Sequence, residues 1–249
     1  MQLGLSSAAA PNAGLHTLVQ GALRHGLRAL ELRAGDAHGI SAAPESTADT
    51  ITPLVMQLAA AGIGVVGYRD SGSTGAASLA SLARTLGSEL FVDADEALPE
   101  RMRHAERLRA AGAEVAIVVR GDTVLDDARH VVRRGLAIVW ECDPQRAPIG
   151  EVVTVLLAEY GASVRHVRLL GGGPESVMHE GRGIGGLMAR LALSGFAGSV
   201  ILAPSSPRFH VAWSTWLGRR AGTGCGSKVS DAPPKDLTFQ PLSRSSHER

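Results

Sequence analysis

Short apolar runs alternate along the chain with stretches whose apolar residues recur at helical spacing. The runs are LGLSS (3–7), LRALELR (27–33), IGVVGYR (63–69), ELFVDA (89–94), EVAIVVR (114–120), LAIVWECD (136–143), SVRHVRLL (163–170) and GSVILAP (198–204). Their length and alternation predict strands. Between them, Leu125, Ala128, Val131 and Val132 share one helical face, and Phe209, Ala212, Trp213, Trp216 and Leu217 share another. Gly26, Gly62, Gly87, Gly112, Gly135, Gly161 and Gly195 each close a helical stretch, as a residue tolerant of left-handed backbone does. Thr52–Pro53 and Ser206–Pro207 read as N-cap and first-turn pairs. Strand alternating with helix implies parallel pairing, and eight such units predict a single (β/α)₈ barrel over residues 1–219. The alternative is an open doubly wound sheet, but no strong dinucleotide fingerprint follows the first strand. Residues 220–249, rich in Gly, Ser, Pro and charge, read as a flexible tail.

Alternation within the strands predicts where side chains point. In a barrel, successive strand residues face the helices and the axis in turn. Leu30, Leu32, Ile117, Val119, Ile138, Trp140, Val167 and Leu169 then face outward. Glu31, Arg33, Arg120, Glu141, Asp143, His166 and Arg168 face inward, and Arg69 closes the third strand. Polar inward residues thus gather toward the C-terminal strand ends, where barrels of this kind carry their active sites. Glu141, Asp143 and Arg168 are the candidate catalytic residues. Glu31, Arg33, Arg69, Arg120 and His166 are candidate substrate contacts, joined by Ser206 and Arg208 from APSSPRFH after the last strand. Such charges either pair with one another or hold a ligand. For Glu141 and Arg168, on adjacent strands, the ligand is the expected partner.

Two loops add to this picture. AGDAHGISAAPESTADT (34–50) is long for a strand-to-helix loop and is expected to act as a lid carrying His38. In GGGPESVMHEGRGIGG (171–186), Gly181, Gly183 and Gly186 fit G-x-G-x-x-G ahead of a helix, a pattern suited to a phosphate. Composition changes little: 45% hydrophobic, 20% charged and a net charge of +1 call for neither nucleic acid nor an acidic membrane. No apolar run reaches the length of a membrane span. Cys142 and Cys225 show no metal-ligand spacing, which fits a reduced, cytoplasmic setting.

GLRALELRAG (26–35) resembles the second strand of the xylose isomerase-like barrels. GLAIVWECDP (135–144) resembles their sixth, and residues 164–202 their seventh strand through to the eighth. That superfamily holds sugar and sugar-phosphate isomerases, epimerases and related AP endonucleases. The resemblance spans about residues 3–218. It implies a barrel fold and proton transfer next to the carbonyl of a sugar. It also implies one divalent metal, held by Glu, Asp, His and Glu on strands five to eight. Here those positions hold Arg120, Glu141, Arg168 (with His166 one inward step deeper) and the carboxylate-free LAPSS. The expectation is therefore no metal site of the family type, although Glu31, Glu141, Asp143 and His166 would make a partial one if they converge. The expected ligand is a small anionic sugar or polyol, phosphorylated or carboxylated. The expected activity is an isomerase or epimerase with Glu141 as acid/base. The alternative is a metal-free, non-catalytic barrel that binds an anionic metabolite or a partner protein.

Overall fold

A computed structural model describes residues 1–42, 48–70, 74–93, 97–143, 149–173 and 184–218. Eight parallel strands close into a barrel in sequence order: β1 (Gln2–Ser6), β2 (Ala29–Arg33), β3 (Gly64–Arg69), β4 (Glu89–Val92), β5 (Val115–Arg120), β6 (Ala137–Cys142), β7 (Val164–Gly171) and β8 (Ser199–Pro204). Pairing of β1 with β8, from Gln2↔Ser199 to Leu5↔Leu202, closes the ring and removes the open-sheet alternative. The helices outside it are α1 (Leu15–Arg24), α2 (Ala48–Ala60), α3 (Ala76–Leu86), α4 (Leu98–Ala110), α5 (Val124–Arg133), α6 (Ile149–Tyr160), α7 (Ile184–Leu193) and α8 (His210–Gly218). Among the described residues no helix is long and apolar enough to cross a membrane.

The outward strand residues named above form the core between sheet and helices. Inside the barrel a second, smaller apolar layer consists of Phe91, Ala116, Val118, Val139 and Ile201. Gly67 makes room for it, because a Cβ there would run into the Phe91 ring. Just before Gly67, β3 inserts one residue against the Leu30/Glu31 step of β2. That bulge resets the alternation, so that Tyr68 is buried in the outer core and Arg69 sits beside Glu31.

Six of the seven helix-closing glycines have positive φ. Gly161 does not; its position excludes a side chain for another reason, the close approach of the Leu157 carbonyl. Pro53 lies inside α2 rather than at its start. The proline removes one amide donor within the helix, which nonetheless runs from Ala48. Ser206 precedes the 3₁₀ turn Pro207–Phe209, but its side chain makes no capping bond. Gly186 is the third residue of α7, so the glycine pattern does run into a helix. Gly181, Gly183 and the segment 220–249 lie outside the described residues.

At the N-terminal face, guanidinium groups satisfy the carbonyls at neighbouring helix ends. Arg24 donates to Leu217 O at 3.0 Å, Arg84 to Ala111 O at 3.2 Å and Arg109 to Arg134 O at 3.3 Å. These are the carbonyls a helix leaves without intrahelical partners, and the positive charge complements the helix C-terminus.

Candidate active site at the barrel mouth

Inward alternation delivers one charged side chain from each of six consecutive strands to the C-terminal mouth: Glu31 from β2, Arg69 from β3, Asp93 just past β4, Arg120 from β5, Glu141 from β6 and Arg168 from β7. They form a closed cycle in which acid and base alternate. Arg168 Nε lies 3.0 Å from Glu31 Oε2, and its Nη1 pairs with Glu141 Oε2. Glu141 Oε1 accepts from Arg120 Nη1 at 3.2 Å, and the same nitrogen lies 3.2 Å from Asp93 Oδ1. Asp93 Oδ2 pairs with Arg69, whose Nη1 lies 3.6 Å from Glu31 Oε1. Ser6 Oγ donates to Glu31 at 2.9 Å. Three guanidinium and three carboxylate groups cancel, which is how so many charges tolerate burial.

The cycle is unevenly exposed. The Arg168 side chain is 6% exposed and that of Arg69 17%, whereas that of Arg120 is 41% exposed. Arg120 is therefore the ring's face to solvent. Arg33 stands beside the ring at the rim and is clamped by Asp36 at 2.8 Å. Ser7 fixes the clamp, donating to Asp36 Oδ2 at 2.6 Å and accepting from Arg33 N at 2.9 Å.

Burial by itself raises the Glu141 carboxyl, but the charges of Arg168, Arg69 and Arg120 outweigh it and leave its pKa below the ordinary glutamate value. Glu141 is thus ionised at neutral pH. A carboxyl whose pKa is depressed by folding contributes stability that is complete above its unfolded pKa and is lost as pH falls through the folded one. Resistance to urea is expected to hold from neutral pH down to about 4.3, the ordinary value, and to decline below it. In Glu141→Gln that acid limb should be shallower; equal limbs in both proteins would show that the ring does not carry it. Cys142, next in β6, faces the outer core. Burial first, then the charges of Glu141 and Asp143, push its thiol far up, so it is no nucleophile.

Several expected site residues lie elsewhere. His166 faces inward as expected, but at the opposite end of the barrel. It pairs in register with Ser199, the first residue of β8, and its Nδ1 lies 2.6 Å from Ser199 Oγ. The two residues from His166 to Arg168 span about 6.6 Å of strand, and the apolar layer lies between floor and mouth. His38, on the loop expected to form a lid, is buried, with Nε2 2.8 Å from Arg33 O, and Nδ1 accepts from Ile40 N. That assigns the proton to Nε2, and burial keeps the ring neutral by lowering its pKa. Residues 43–47 of the same loop lie outside the described residues. Arg208 is exposed and stacks on Phe209, 4.7 Å from the ring centroid. Asp143 sits half-buried one inward step beyond Glu141. Glu141 and Arg168, expected to hold a ligand between them, are bonded directly to each other.

Asp93 was not anticipated, although the alternation that turns Glu89 and Phe91 inward also turns Asp93 inward. Its role as the bridge between Arg69 and Arg120 emerges only from the closure of the ring. The mouth does not suit a divalent metal of the family type. Arg120 and Arg168 stand where the resemblance places ligands, β8 ends in Ala203 and Pro204, and guanidinium groups repel a cation. His166, the imidazole of the partial set, is on the floor.

No family model and no curated protein matches the chain. Solved structures do. A D-psicose 3-epimerase from Clostridium cellulolyticum H10, solved with D-tagatose, superposes with a TM-score of 0.61 at 16% identity, covering 89% of this chain and 96% of that one. An L-ribulose 3-epimerase gives 0.58 at 14% identity, with 90% and 89% covered. A xylose isomerase domain containing protein from Salmonella typhimurium LT2 gives 0.57 at 13% identity, with 88% and 95% covered. At such identities the likeness is one of fold alone, the (β/α)₈ barrel.

Proposed function

We propose that this barrel is an isomerase or epimerase that takes a small anionic sugar or polyol, phosphorylated or carboxylated, and moves a proton next to its carbonyl without a metal of the family type. The observation that carries this reading is an ionised, buried carboxylate, Glu141, bonded to a guanidinium, Arg120, that faces solvent at the mouth. Base and electrophile are thereby placed side by side at the end of the barrel where such folds do chemistry.

Arg120 is shared between Asp93 and Glu141 at equal distance, so it can exchange one partner for the anionic group of a ligand without losing both. Once Arg120 turns to the ligand, Glu141 keeps Arg168 alone and becomes a stronger base. Glu141 then takes the proton from the carbon next to the carbonyl, and the electron pair moves onto the carbonyl oxygen. Arg168 and Arg120 stabilise the resulting enediolate-like charge. Return of the proton from Glu141 to the former carbonyl carbon, with the neighbouring hydroxyl's proton passing to the former carbonyl oxygen, gives isomerisation. Epimerisation instead needs a protonated acid on the opposite face of the same carbon, which gives up its own proton while Glu141 keeps the one it took; a protonated Asp143, just past β6, would be that acid, and both groups reset by exchange with solvent. Arg33, fixed by Asp36, adds a second cation at the rim.

A second reading has its own support: both oxygens of Glu141 are engaged, as in a barrel that binds an anion without turning it over. One experiment separates the two. The full-length protein is incubated in D₂O with pentose and hexose phosphates and sugar acids, and melting temperature and deuterium incorporation are followed together. A bound ligand at a hundred times its Kd adds about 2.7 kcal/mol of stability. The proposal expects stabilisation by anionic but not neutral sugars, exchange at the carbon next to the carbonyl, and loss of both in Arg120→Ala. Stabilisation without exchange leaves the binder. Absence of both overturns the reading.

A further inference from the structure

We propose that the N-terminal floor of the barrel holds a second binding site, for a small molecule presenting an ammonium group, in the cavity lined by Ser88, Glu89, Glu114 and His166. This inference is independent of the mouth, from which the layer of Phe91, Val118, Val139 and Ile201 separates it. The cavity measures about 470 Å³ and opens between the C-terminal ends of α3 and α4. A second cavity, of about 610 Å³ and bounded by the ends of α6 and α7, reaches the same His166 from the other side. Volumes of this order suit a small molecule rather than a single water.

Three buried polar atoms on the floor lack a hydrogen-bond partner among the described residues. They are Glu89 Oε2, His166 Nε2 and Ser88 Oγ, on buried residues; the His166 side chain is 9% exposed and that of Glu89 11%. The nearest approach among them, His166 Nε2 to Glu89 Oε2 at 3.5 Å, is too long for a good hydrogen bond. Each such atom bears a desolvation cost until something binds it.

Three features select a cationic donor. Glu89 Oε2, whose nearest donor is His166 Nε2 at 3.5 Å, belongs to a carboxylate. Burial raises its pKa, but His166 and Arg165 bring it below the ordinary value, so it is ionised. Glu114, on the same wall, adds a second carboxylate. The arginines present are already committed: Arg84 to the carbonyls of Ala111 and Gly112, and Arg165 to Glu89 Oε1 at 2.5 Å and Glu114 Oε2 at 3.0 Å. An ammonium group carries three donors on one compact charge. Two of them can meet Glu89 Oε2 and the Ser88 hydroxyl, both on the cavity wall. An anion would meet Glu89 and Glu114 instead.

The test uses the full chain at neutral pH and constant ionic strength, with n-butylamine as probe and 1-butanol and butyrate as its neutral and anionic counterparts. Binding is followed by saturation-transfer NMR and by melting temperature. The expected result is saturable binding of butylamine alone. It is abolished in Glu89→Gln, weakened roughly ten-fold in Ser88→Ala by the loss of one hydrogen bond to a charged group, and unchanged in Arg120→Ala. If Glu89→Gln does not fold, Ser88→Ala decides. Non-saturable binding, an equal response to butanol, full affinity in Ser88→Ala, or loss of binding in Arg120→Ala overturns the proposal.

Discussion

Replacing Arg168 with methionine is expected to destabilise the protein by about 3–5 kcal/mol, the cost of removing one member of a buried ion pair. Methionine keeps much of the side-chain volume, so packing changes little. The charge balance changes a great deal. Glu31, fully buried, is left with Ser6 and with Arg69 at 3.6 Å, while Glu141 is left with Arg120 alone. Among the described residues, neither oxygen facing the missing guanidinium has another donor. A second change, Glu141→Gln, removes one of the two exposed deficits and should recover part of the loss. Urea unfolding of the two single variants and the double measures the coupling directly. Additive losses would show that the cycle is a set of independent contacts, and would remove the reason for treating the mouth as one electrostatic unit.

The fold was legible because two periodicities agreed. Strand alternation placed Ile117, Ile138, Trp140, Val167 and Leu169 against the helices, and every one is buried there. Glycine punctuation then set the helix ends at six positions by backbone conformation and at Gly161 by close contact. Alternation also placed Glu31, Arg120, Glu141 and Arg168 on the lumen. It could not give height along the axis, because period two specifies a face and not a level. That is why His166, correct in direction, was assigned to the wrong end. Nor could it give partners. Which carboxylate meets which guanidinium depends on the stagger between strands, and the bulge before Gly67 shifts that stagger for Arg69. The burial of His38 was not legible for a different reason: a loop histidine in sequence carries no sign of the Arg33 carbonyl and Ile40 amide that hold it.

Glu141→Gln is expected to separate chemistry from scaffold, because it is less damaging to the ring than the loss of Arg168. Arg168 retains Glu31 at 3.0 Å, and Arg120 retains Asp93 while facing solvent. The stability cost should therefore be smaller than that of Arg168→Met, on the order of 1–3 kcal/mol for a hydrogen-bond partner lost at a charged group. The effect on exchange should be large. Glutamine cannot accept a proton at neutral pH, and removal of a positioned general base costs typically about 10²–10⁴-fold. Binding should move the other way. Arg120 loses one of its two carboxylates and becomes more available to a ligand anion, so stabilisation by an anionic sugar should persist or increase. A folded Glu141→Gln protein that binds the anion but no longer exchanges the adjacent proton is the predicted signature of a base. Wild-type exchange in that variant would move the base to another carboxyl, with Asp143 the next to replace. Loss of anion binding along with exchange would place Glu141 in recognition, since a base that only accepts a proton has no reason to hold the ligand's charge.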